Sequence, residues 1–327
     1  MIESAKDSKD VKQISDAIIN EVQRHIVGFS DTTRSLIIAL LVGGHVLIEG
    51  LPGTAKTLLS TVFANSLGLS VRRIQSTSDL MPSDITGTRI YNPKTLDFEF
   101  KQGPIFSNVA VVDEINRSPP KTQAALLESM QEKQVSADGV TFPLEEPFMV
   151  IATKNAMEFE GTFPLPEAQL DRFLFRLIMA YPDEAGEIEI LRRKTLKEGE
   201  MAPVVKRSAL LAAREIIHTQ VKAKEEILEY IADVVRNTNQ IPKVVLGASP
   251  RSAVALLYAA KGYAAVTEGR KYVIPDDVKA VAFDVLNHRL MLTQDALFDS
   301  PEAREGLGIQ FLKNLLAQSL DQVAVPI

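Results

Sequence analysis

The segment from residue 50 to residue 57, GLPGTAKT, constrains this chain more than any other part of its sequence. It follows an apolar run that predicts a buried strand and precedes a pattern that predicts a helix, the context in which phosphate-binding loops occur. There, backbone N–H groups and the helix N-terminus face the phosphates, and Lys56 adds a full positive charge. The hydroxyl of Thr57 is expected to bind magnesium. The nucleotide-binding residues predicted for this region and the turn before it are Val27, Gly28, Gly50, Pro52, Gly53, Thr54, Ala55, Lys56, Thr57 and Leu58.

Ala55 stands where the general phosphate-loop pattern has a second glycine. Alanine is tolerated there if the backbone is already right-handed helical, because the residue then adds a methyl group and needs no positive φ. We therefore expect a helical backbone at Ala55 and an intact loop.

Short apolar runs alternate with helical patterns over the first part of the chain. The runs predict strands at 45–49, 71–75, 109–113, 148–152 and 173–179. Helices are predicted between them, notably at 56–67 and 121–133. Strands that alternate with helices in this way form parallel sheets covered on both faces. Residues 1–182 are therefore predicted to be an α/β domain with a five-stranded parallel sheet.

The pattern changes after residue 182, where the strand-like runs stop. Amphipathic patterns separated by prolines predict helices over 183–197, 208–220, 225–237, 250–268, 275–287 and 306–319. Residues 183–327 are therefore predicted to form an all-helical second domain.

The third apolar run, VAVVDE at 109–114, ends in two carboxylates. Strands of doubly wound sheets present ligands at their carboxyl ends, so Asp113 and Glu114 should lie beside the phosphate loop. Neighbouring strand residues point to opposite sides, which allows the two to take different roles. Asp113 is expected to bind the nucleotide's magnesium with Thr57, and Glu114 to polarise the attacking water. An acidic pair alone is as often a solvated strand end; its position after a phosphate loop favours the catalytic interpretation.

The residues after this strand predict a helix start, with Ser118 as the cap and Pro119 in the first helical position. The next strand closes on Asn155, whose amide can bind the γ-phosphate or the attacking water. A lone Asn at a strand end is usually a turn residue. The order of motifs favours the catalytic role here.

Four blocks now occur together: GLPGTAKT, DEINRSPPKTQAALLESMQEKQVS at 113–136, EGTFPLPEAQLDRF at 160–173 and SPRS at 249–252. In this order and spacing they resemble the MoxR family of AAA+ ATPases over nearly the whole chain. The resemblance implies an αβα nucleotide domain, a helical lid, ATP and Mg²⁺ as cofactors, a homo-oligomeric ring, usually hexameric, and chaperone-like work. The family's phosphate loop often carries alanine at the position of Ala55.

By the same resemblance, Asn155 matches sensor 1, Arg172 the arginine finger and Arg251 sensor 2. An arginine delivered to a transferring phosphoryl group accelerates GTPases by about 10³–10⁵. Arg172 lies at the far edge of the predicted domain from Lys56, so it should reach a neighbour's site; whether Arg251 acts in its own subunit or the next stays open. Outside this context, either arginine would more often form a surface salt bridge of about 0–1 kcal/mol.

Two segments interrupt the alternation and predict β-hairpins, one within 84–108 and one over 134–143 with Asp138-Gly139 in its turn. Each is a candidate substrate contact or a subunit contact. The loop at 76–82 lacks the aromatic–apolar–Gly triplet with which threading ATPases grip a chain. We therefore expect the protein to act on folded protein partners, with one or two of the aromatics Tyr91, Phe98, Phe100 and Phe106 exposed for docking.

Composition limits the alternatives. A formal net charge of −6 makes nucleic acid an improbable main ligand, and the absence of cysteine excludes disulfides and thiolate chemistry. The polar N-terminus has no signal-peptide pattern, and the longest apolar stretch, 36–42, is far below the about 18 residues of a membrane span, so a cytoplasmic location is expected.

Three functions fit these features. The first is a chaperone-like ATPase whose partners, by the resemblance, often carry a von Willebrand factor A domain. The second is a DNA-associated ATPase related to replicative helicases. The third is a nucleotide-gated scaffold with slow turnover. The intact set of Lys56, Asp113, Glu114, Asn155 and Arg172 favours turnover.

Overall fold

The computed structural model describes residues 1–137, 139–155, 161–195, 201–293, 296 and 308–326. Its α-helices are α1 (Ser8–His25), α2 (Ser30–Val42), α3 (Lys56–Ser66), α4 (Pro82–Thr86), α5 (Pro120–Glu132), α6 (Glu167–Leu170), α7 (Glu184–Lys194), α8 (Arg207–Thr219), α9 (Glu225–Asn237), α10 (Pro250–Glu268), α11 (Pro275–Leu286) and α12 (Gly308–Asp321). Its strands are β1 (Val46–Gly50), β2 (Val71–Gln75), β3 (Gly87–Asn92), β4 (Asp97–Gln102), β5 (Val109–Asp113), β6 (Gln134–Ala137), β7 (Val140–Pro143), β8 (Met149–Asn155), β9 (Phe175–Met179), β10 (Val244–Leu246) and β11 (Met291–Leu292).

A five-stranded parallel sheet in the order β2-β5-β8-β1-β9 organises the first part of the chain. Alternate residues of β5 enter two different cores. Val109 and Val111 pack in the cluster that contains α1, α2 and α3, whereas Ala110 and Val112 pack with Leu126 of α5 and its neighbours. Both faces of the sheet are therefore covered, which is why its strands read as continuous apolar runs. The α/β fold followed by a helical lid is confirmed.

Two antiparallel hairpins project from this sheet, within the segments that predict them. In the first, β3 pairs with β4, and in the second β6 pairs with β7. Three phenylalanines join the hairpins: Phe100 stacks on Phe142 with ring centroids 4.4 Å apart, and Phe106 meets both rings edge-on. At the tip of the first hairpin, Tyr91 and Phe98 form an exposed edge-to-face pair. Of the four aromatic residues considered for docking, these two are exposed, in agreement with the expectation of one or two.

Helices α7 to α12 follow the sheet, with a short antiparallel pair, β10 and β11, among them. Among its described residues, the helices and strands of the predicted second domain are thus all helices except for this pair. Apolar residues of α8, α9, α10 and α11 share one continuous cluster with α1 and α2, because α10 packs against both of those helices. The boundary at 182/183 stays a prediction.

Some predicted features lie outside the described residues: Asp138 in the second hairpin turn, Glu160 of the third block, the end of the helix predicted to reach 197, and the helix start predicted at 306. Helix α5 begins at Pro120, one residue before the predicted range 121–133 and one after the first helical position predicted at Pro119. Its N-cap is Pro119, so the placement of Ser118 as cap is wrong. In the part of the chain that the structure describes, no helix has both the length and the apolarity that crossing a membrane requires.

Candidate active site

The phosphate loop connects β1 to α3. Gly50 must be glycine, because a Cβ there would lie 2.5 Å from the carbonyl oxygen of Met179 on β9. Gly53 has φ +82°, and no atom lies within 4 Å of where its Cβ would be, so the backbone is open to a close ligand. The Lys56 side chain is 7% exposed, and its Nζ donates to the carbonyl oxygens of Gly50 at 3.0 Å and Leu51 at 2.7 Å. The loop thus holds a buried ammonium group against its own carbonyls.

The backbone at Ala55 differs from the expectation. Ala55 has φ +60° and ψ +24°, in the left-handed region, and is the N-cap of α3. The predicted right-handed helical backbone is therefore wrong. A non-glycine residue in this region costs roughly 1–2 kcal/mol, so Ala55 maintains a local strain that glycine would not. Strain of this kind persists where the surrounding structure determines the backbone, and it concentrates at functional sites.

Asp113 ends β5 directly opposite the first turn of α3. Its Oδ1 accepts from the hydroxyl of Thr57 at 2.6 Å and from that of Thr153 at 3.5 Å. Its Oδ2 accepts from Nε of Arg73 at 2.5 Å. The fold thus brings together the two residues predicted to bind magnesium, although they lie on different elements.

Glu114 leaves the strand in a left-handed conformation, with φ +54°. Its backbone N–H donates to the hydroxyl of Thr153 at 3.0 Å. Its Oε1 accepts from the Asn155 amide at 3.0 Å, and its Oε2 pairs with Arg117 at 2.9 Å. The separation of the two carboxylates therefore comes from the backbone turn at Glu114 and not from strand alternation, which the sequence interpretation had invoked.

These residues match the needs of a Mg²⁺-bound nucleotide. The Thr57 hydroxyl and the Asp113 carboxylate are hard oxygen ligands held together at 2.6 Å, the ligand type that Mg²⁺ prefers. Lys56 and the N-terminus of α3 supply positive charge for phosphates. The donor set therefore fits both groups: Thr57 and Asp113 would hold the metal, and Lys56 with the loop backbone would hold the phosphates.

The other predicted nucleotide-binding residues lie on several segments of the chain. Val27 and Gly28 belong to the turn between α1 and α2, where Gly28 has φ +79°. Leu58 follows Thr57 on α3 and is exposed. The Pro52 carbonyl accepts a hydrogen bond from the Tyr181 hydroxyl at 2.8 Å, which ties the loop to the segment after β9.

The two predicted arginines lie near the amino ends of the strands, whereas the phosphate loop lies at their carboxyl ends. Arg172 precedes the amino end of β9 and donates to the Leu127 carbonyl of α5 at 2.7 Å. Because Phe175 pairs with Val46 and Met179 with Gly50, the phosphate loop begins at the other end of the strand. The four steps of β9 alone correspond to about 13 Å. Arg172 is therefore held away from its own phosphate loop.

Arg251 lies near Arg172, at the same end of the strands. It lies in the first turn of α10 and pairs with Oδ2 of Asp171 at 3.5 Å. The other oxygen, Oδ1, accepts from the buried Arg289 at 2.8 Å. Burial lowers the pKa of the Arg289 guanidinium, against the opposing effect of Asp171. Ion pairs to Asp171 thus join the helical part of the chain to the sheet domain, beside Arg172.

The sequence interpretation missed three groups at this site: Arg73, Arg117 and Thr153. Thr153 stands two residues before Asn155, on the strand face that alternation gives to the site, so the strand period could have indicated it. Arg117 lies three residues after Glu114 in a 3-10 turn, where such neighbours approach each other. Arg73 comes from a strand that carries no recognised motif, and its sequence offers no signal.

Two family models match the chain. The model described as "ATPase family associated with various cellular activities (AAA)" matches residues 45–175, and the one described as "AAA lid domain" matches residues 236–307. The first range contains the phosphate loop, both carboxylates, Asn155 and Arg172, and the second contains Arg251.

Individual relatives extend this similarity over most of the chain. It is 45% identical over 298 residues to the uncharacterized protein YeaC of Bacillus subtilis, covering 90% of this chain and 92% of YeaC. It is 44% identical over 295 residues to Chaperone MoxR1 of Mycobacterium tuberculosis, covering 87% and 78% respectively. A crystal structure from Cytophaga hutchinsonii, provisionally assigned as an ATPase, superposes with a TM-score of 0.86 at 39% identity over 98% of this chain and 97% of that one.

Proposed function

Because the chain belongs to the MoxR-type AAA+ ATPases, we propose that it hydrolyses Mg²⁺-bound ATP at sites shared between neighbouring subunits of a ring and, like a chaperone, remodels protein partners. The observation that carries the hydrolytic part is the double contact beside the phosphate loop. Thr57 and Asp113 meet at 2.6 Å, and Asn155 holds Glu114 at 3.0 Å. A metal-binding pair and a base with its orienting amide therefore lie close together where the ends of β5 and β8 meet the start of α3.

Each group has a distinct task in this proposal. Lys56 leaves the loop carbonyls and binds the β- and γ-phosphates, which offer a stronger acceptor than a neutral carbonyl. When bound, Mg²⁺ neutralises charge on these phosphates. Glu114 accepts the proton of the attacking water, and Asn155 fixes the carboxylate in position while its amide faces the γ-phosphate. Arg117 pairs with the other oxygen of this carboxylate at 2.9 Å and helps to hold it in place.

The position of Arg172 supports a shared site. Its guanidinium lies near the amino end of β9, whereas the phosphate loop of the same subunit follows the carboxyl end of β1. Contact between Arg172 and a phosphate therefore requires a second copy of the chain. A head-to-tail contact of this kind closes into a ring when the rotation allows. Arg251 pairs with Asp171, the residue before Arg172. The proposal therefore has both Arg172 and Arg251 acting at the site of the adjacent subunit.

The partner is proposed to be a folded protein, such as one with a von Willebrand factor A domain, bound in the cytoplasm. Chaperone MoxR1, a relative at 44% identity, supports a chaperone role. The first hairpin supports docking at its tip, since Ile90, Tyr91, Leu96 and Phe98 are all exposed there. Apolar side chains at this density on a projecting turn are typical of a protein-binding surface.

We expect Lys56→Ala to abolish measurable ATP binding, since the loop loses its one full positive charge against the phosphates. The measurement is the affinity for a fluorescent ATP analogue in the presence of Mg²⁺. Lys121→Ala, at an exposed lysine on α5, serves as a charge-matched control and should bind normally. Undiminished affinity in Lys56→Ala, with the fold intact by circular dichroism, would contradict the assignment of this loop.

The hairpin tip provides a test of partner docking. Replacing Tyr91 and Phe98 with Ser removes the exposed aromatic pair and leaves the turn unchanged, so basal ATP hydrolysis should stay within about twofold, because the phosphate loop lies on a different element. Binding of a purified von Willebrand factor A domain protein from the same source should weaken about tenfold or more, the cost typical of losing an aromatic anchor.

Tyr272→Ser, which removes an equally exposed ring from the lid, is the control for this experiment. Equal partner binding by the wild type and the double variant would show that the hairpin tip is not the docking surface. ATP-dependent unfolding of a tagged model protein, or unwinding of a DNA fork, would show that the protein threads its substrate.

A further inference from the structure

Arg73 contacts the candidate metal-binding carboxylate from a strand that carries no motif. It is the third residue of β2, the edge strand beside β5, and pairs across the ladder with Val111. Its Nε donates to Asp113 Oδ2 at 2.5 Å, and one of its terminal nitrogens donates to Gln75 Oε1 at 3.1 Å. The guanidinium therefore reaches along the carboxyl end of the sheet and is held by two acceptors.

The pair is asymmetric in its exposure to solvent. The side chain of Asp113 is 3% exposed, whereas that of Arg73 is 59% exposed. For two exposed partners such a contact would have little consequence. A buried carboxylate without a counter-charge is far more costly, because it cannot recover the hydration it has lost. Among the contacts of Asp113 that the structure describes, Thr57 and Thr153 are neutral hydroxyls, so Arg73 supplies the full positive charge.

We propose that Arg73 is a positioning residue that serves as the counter-ion of Asp113 and thereby sets how strongly nucleotide binding depends on Mg²⁺. The inference rests on the proposed function, because it takes Asp113 and Thr57 as the metal-binding pair. Arg73 occupies Oδ2, whereas Thr57 contacts Oδ1, so the arginine holds one oxygen and leaves the threonine side of the carboxylate for the metal.

The direction of the effect follows from charge. Without Mg²⁺, Arg73 screens Asp113 from the phosphates, so an anionic nucleotide can bind with less repulsion. Removing Arg73 leaves the carboxylate charge unopposed and weakens metal-free binding. With Mg²⁺ present, the metal takes over as counter-ion and gains the full charge of Asp113. The ratio of nucleotide affinity with Mg²⁺ to affinity without it should therefore increase when Arg73 is neutralised.

The test compares Arg73→Gln with the wild type, using a fluorescent ADP analogue titrated with excess Mg²⁺ and with chelator. Losing one charge-assisted hydrogen bond to a buried acceptor should raise the ratio about tenfold. Arg72→Gln is the matched control, because the Arg72 side chain is exposed and, as the strand neighbour of Arg73, points to the other face of β2. Arg73→Lys, which keeps the charge, should restore most of the wild-type ratio.

A second measurement separates electrostatics from a general loss of structure. In Asp113→Asn the carboxylate charge is gone, so adding Arg73→Gln should change neither the Mg²⁺ ratio nor the thermal midpoint of the nucleotide-free protein. In the Asp113 background Arg73→Gln should lower that midpoint. Equal effects of Arg73→Gln in both backgrounds, or a ratio unchanged from that of the wild type, would overturn the inference. If the wild type itself shows no Mg²⁺-dependent binding of the analogue, the proposed function fails first.

Discussion

Glu114→Gln should lower ATP turnover about 10²- to 10⁴-fold, the range attributed to general-base catalysis, while ATP binding stays close to that of the wild type. The amide keeps the shape of the carboxylate but cannot accept the proton of the attacking water. In the structure its oxygen can still accept from the Asn155 amide, as Glu114 Oε1 does at 3.0 Å. The phosphate-binding groups of the loop are not changed. The measurements are phosphate release at saturating ATP and equilibrium binding of a fluorescent ATP analogue.

The control is Glu226→Gln, at an exposed glutamate in the first turn of α9, which should hydrolyse ATP at the wild-type rate. Because Glu114 also pairs with Arg117, the substitution could disturb the site by releasing that arginine. Arg117→Gln tests this possibility: it should reduce turnover much less than Glu114→Gln. Near wild-type hydrolysis by Glu114→Gln would place the water-activating role on another residue.

The buried strands could be predicted well from the sequence, because continuous apolar runs mark strands covered on both faces. The bounds of β2 and β5 agree with the prediction. The apolar run that predicts β8 ends at Ala152, and only the motif at its end pointed to Asn155. The strand continues through Asn155, since Gly50 of β1 pairs with Asn155 and extends the ladder over polar residues. A hydrophobicity pattern cannot show where a ladder continues past the apolar part of a strand.

Motif positions indicated most of the residues that the structure brings together, because a phosphate loop and an acidic strand end must meet at the carboxyl edge of a parallel sheet. Backbone conformation was less predictable. The left-handed φ at Ala55 and at Glu114 depends on the packing around the loop and on the turn into the next helix. Residue type argued against it in both cases, since neither residue is glycine, asparagine or aspartate.

Long-range ion pairs could not be predicted from the sequence. Arg73 reaches Asp113 across 40 residues of chain, and Arg251 reaches Asp171 from another part of the fold. Each contact depends on which strands or helices become neighbours, and a single arginine in a sequence carries no information about its partner. The proposal that Arg251 acts at the neighbouring site therefore rests on its contact with Asp171, which the sequence did not reveal.

Arg172→Ala should bind ATP normally and lower turnover about 10³- to 10⁵-fold, the contribution of an arginine delivered to the transferring phosphoryl group. In its own subunit Arg172 donates a hydrogen bond to Leu127 of α5, at the end of the strands that lies away from Lys56. Loss of this side chain should therefore leave nucleotide affinity unchanged. Arg236→Ala, which breaks a pair with Asp233 within one lid helix, is the control and should have no effect on turnover.

Mixing two inactive variants distinguishes action in the next subunit from action in the same one. A ring that contains Arg172→Ala and Glu114→Gln subunits has interfaces in which an intact Glu114 faces an intact Arg172, about a quarter of all interfaces at equal amounts in a head-to-tail ring. Phosphate release should recover accordingly. Mixing Lys56→Ala with Glu114→Gln should give no recovery, because both residues belong to the same subunit's half of the site, so every subunit lacks one of them. If native mass measurements show mixed rings and the first mixture stays as inactive as the second, Arg172 does not act across the interface, and the shared-site proposal must be abandoned.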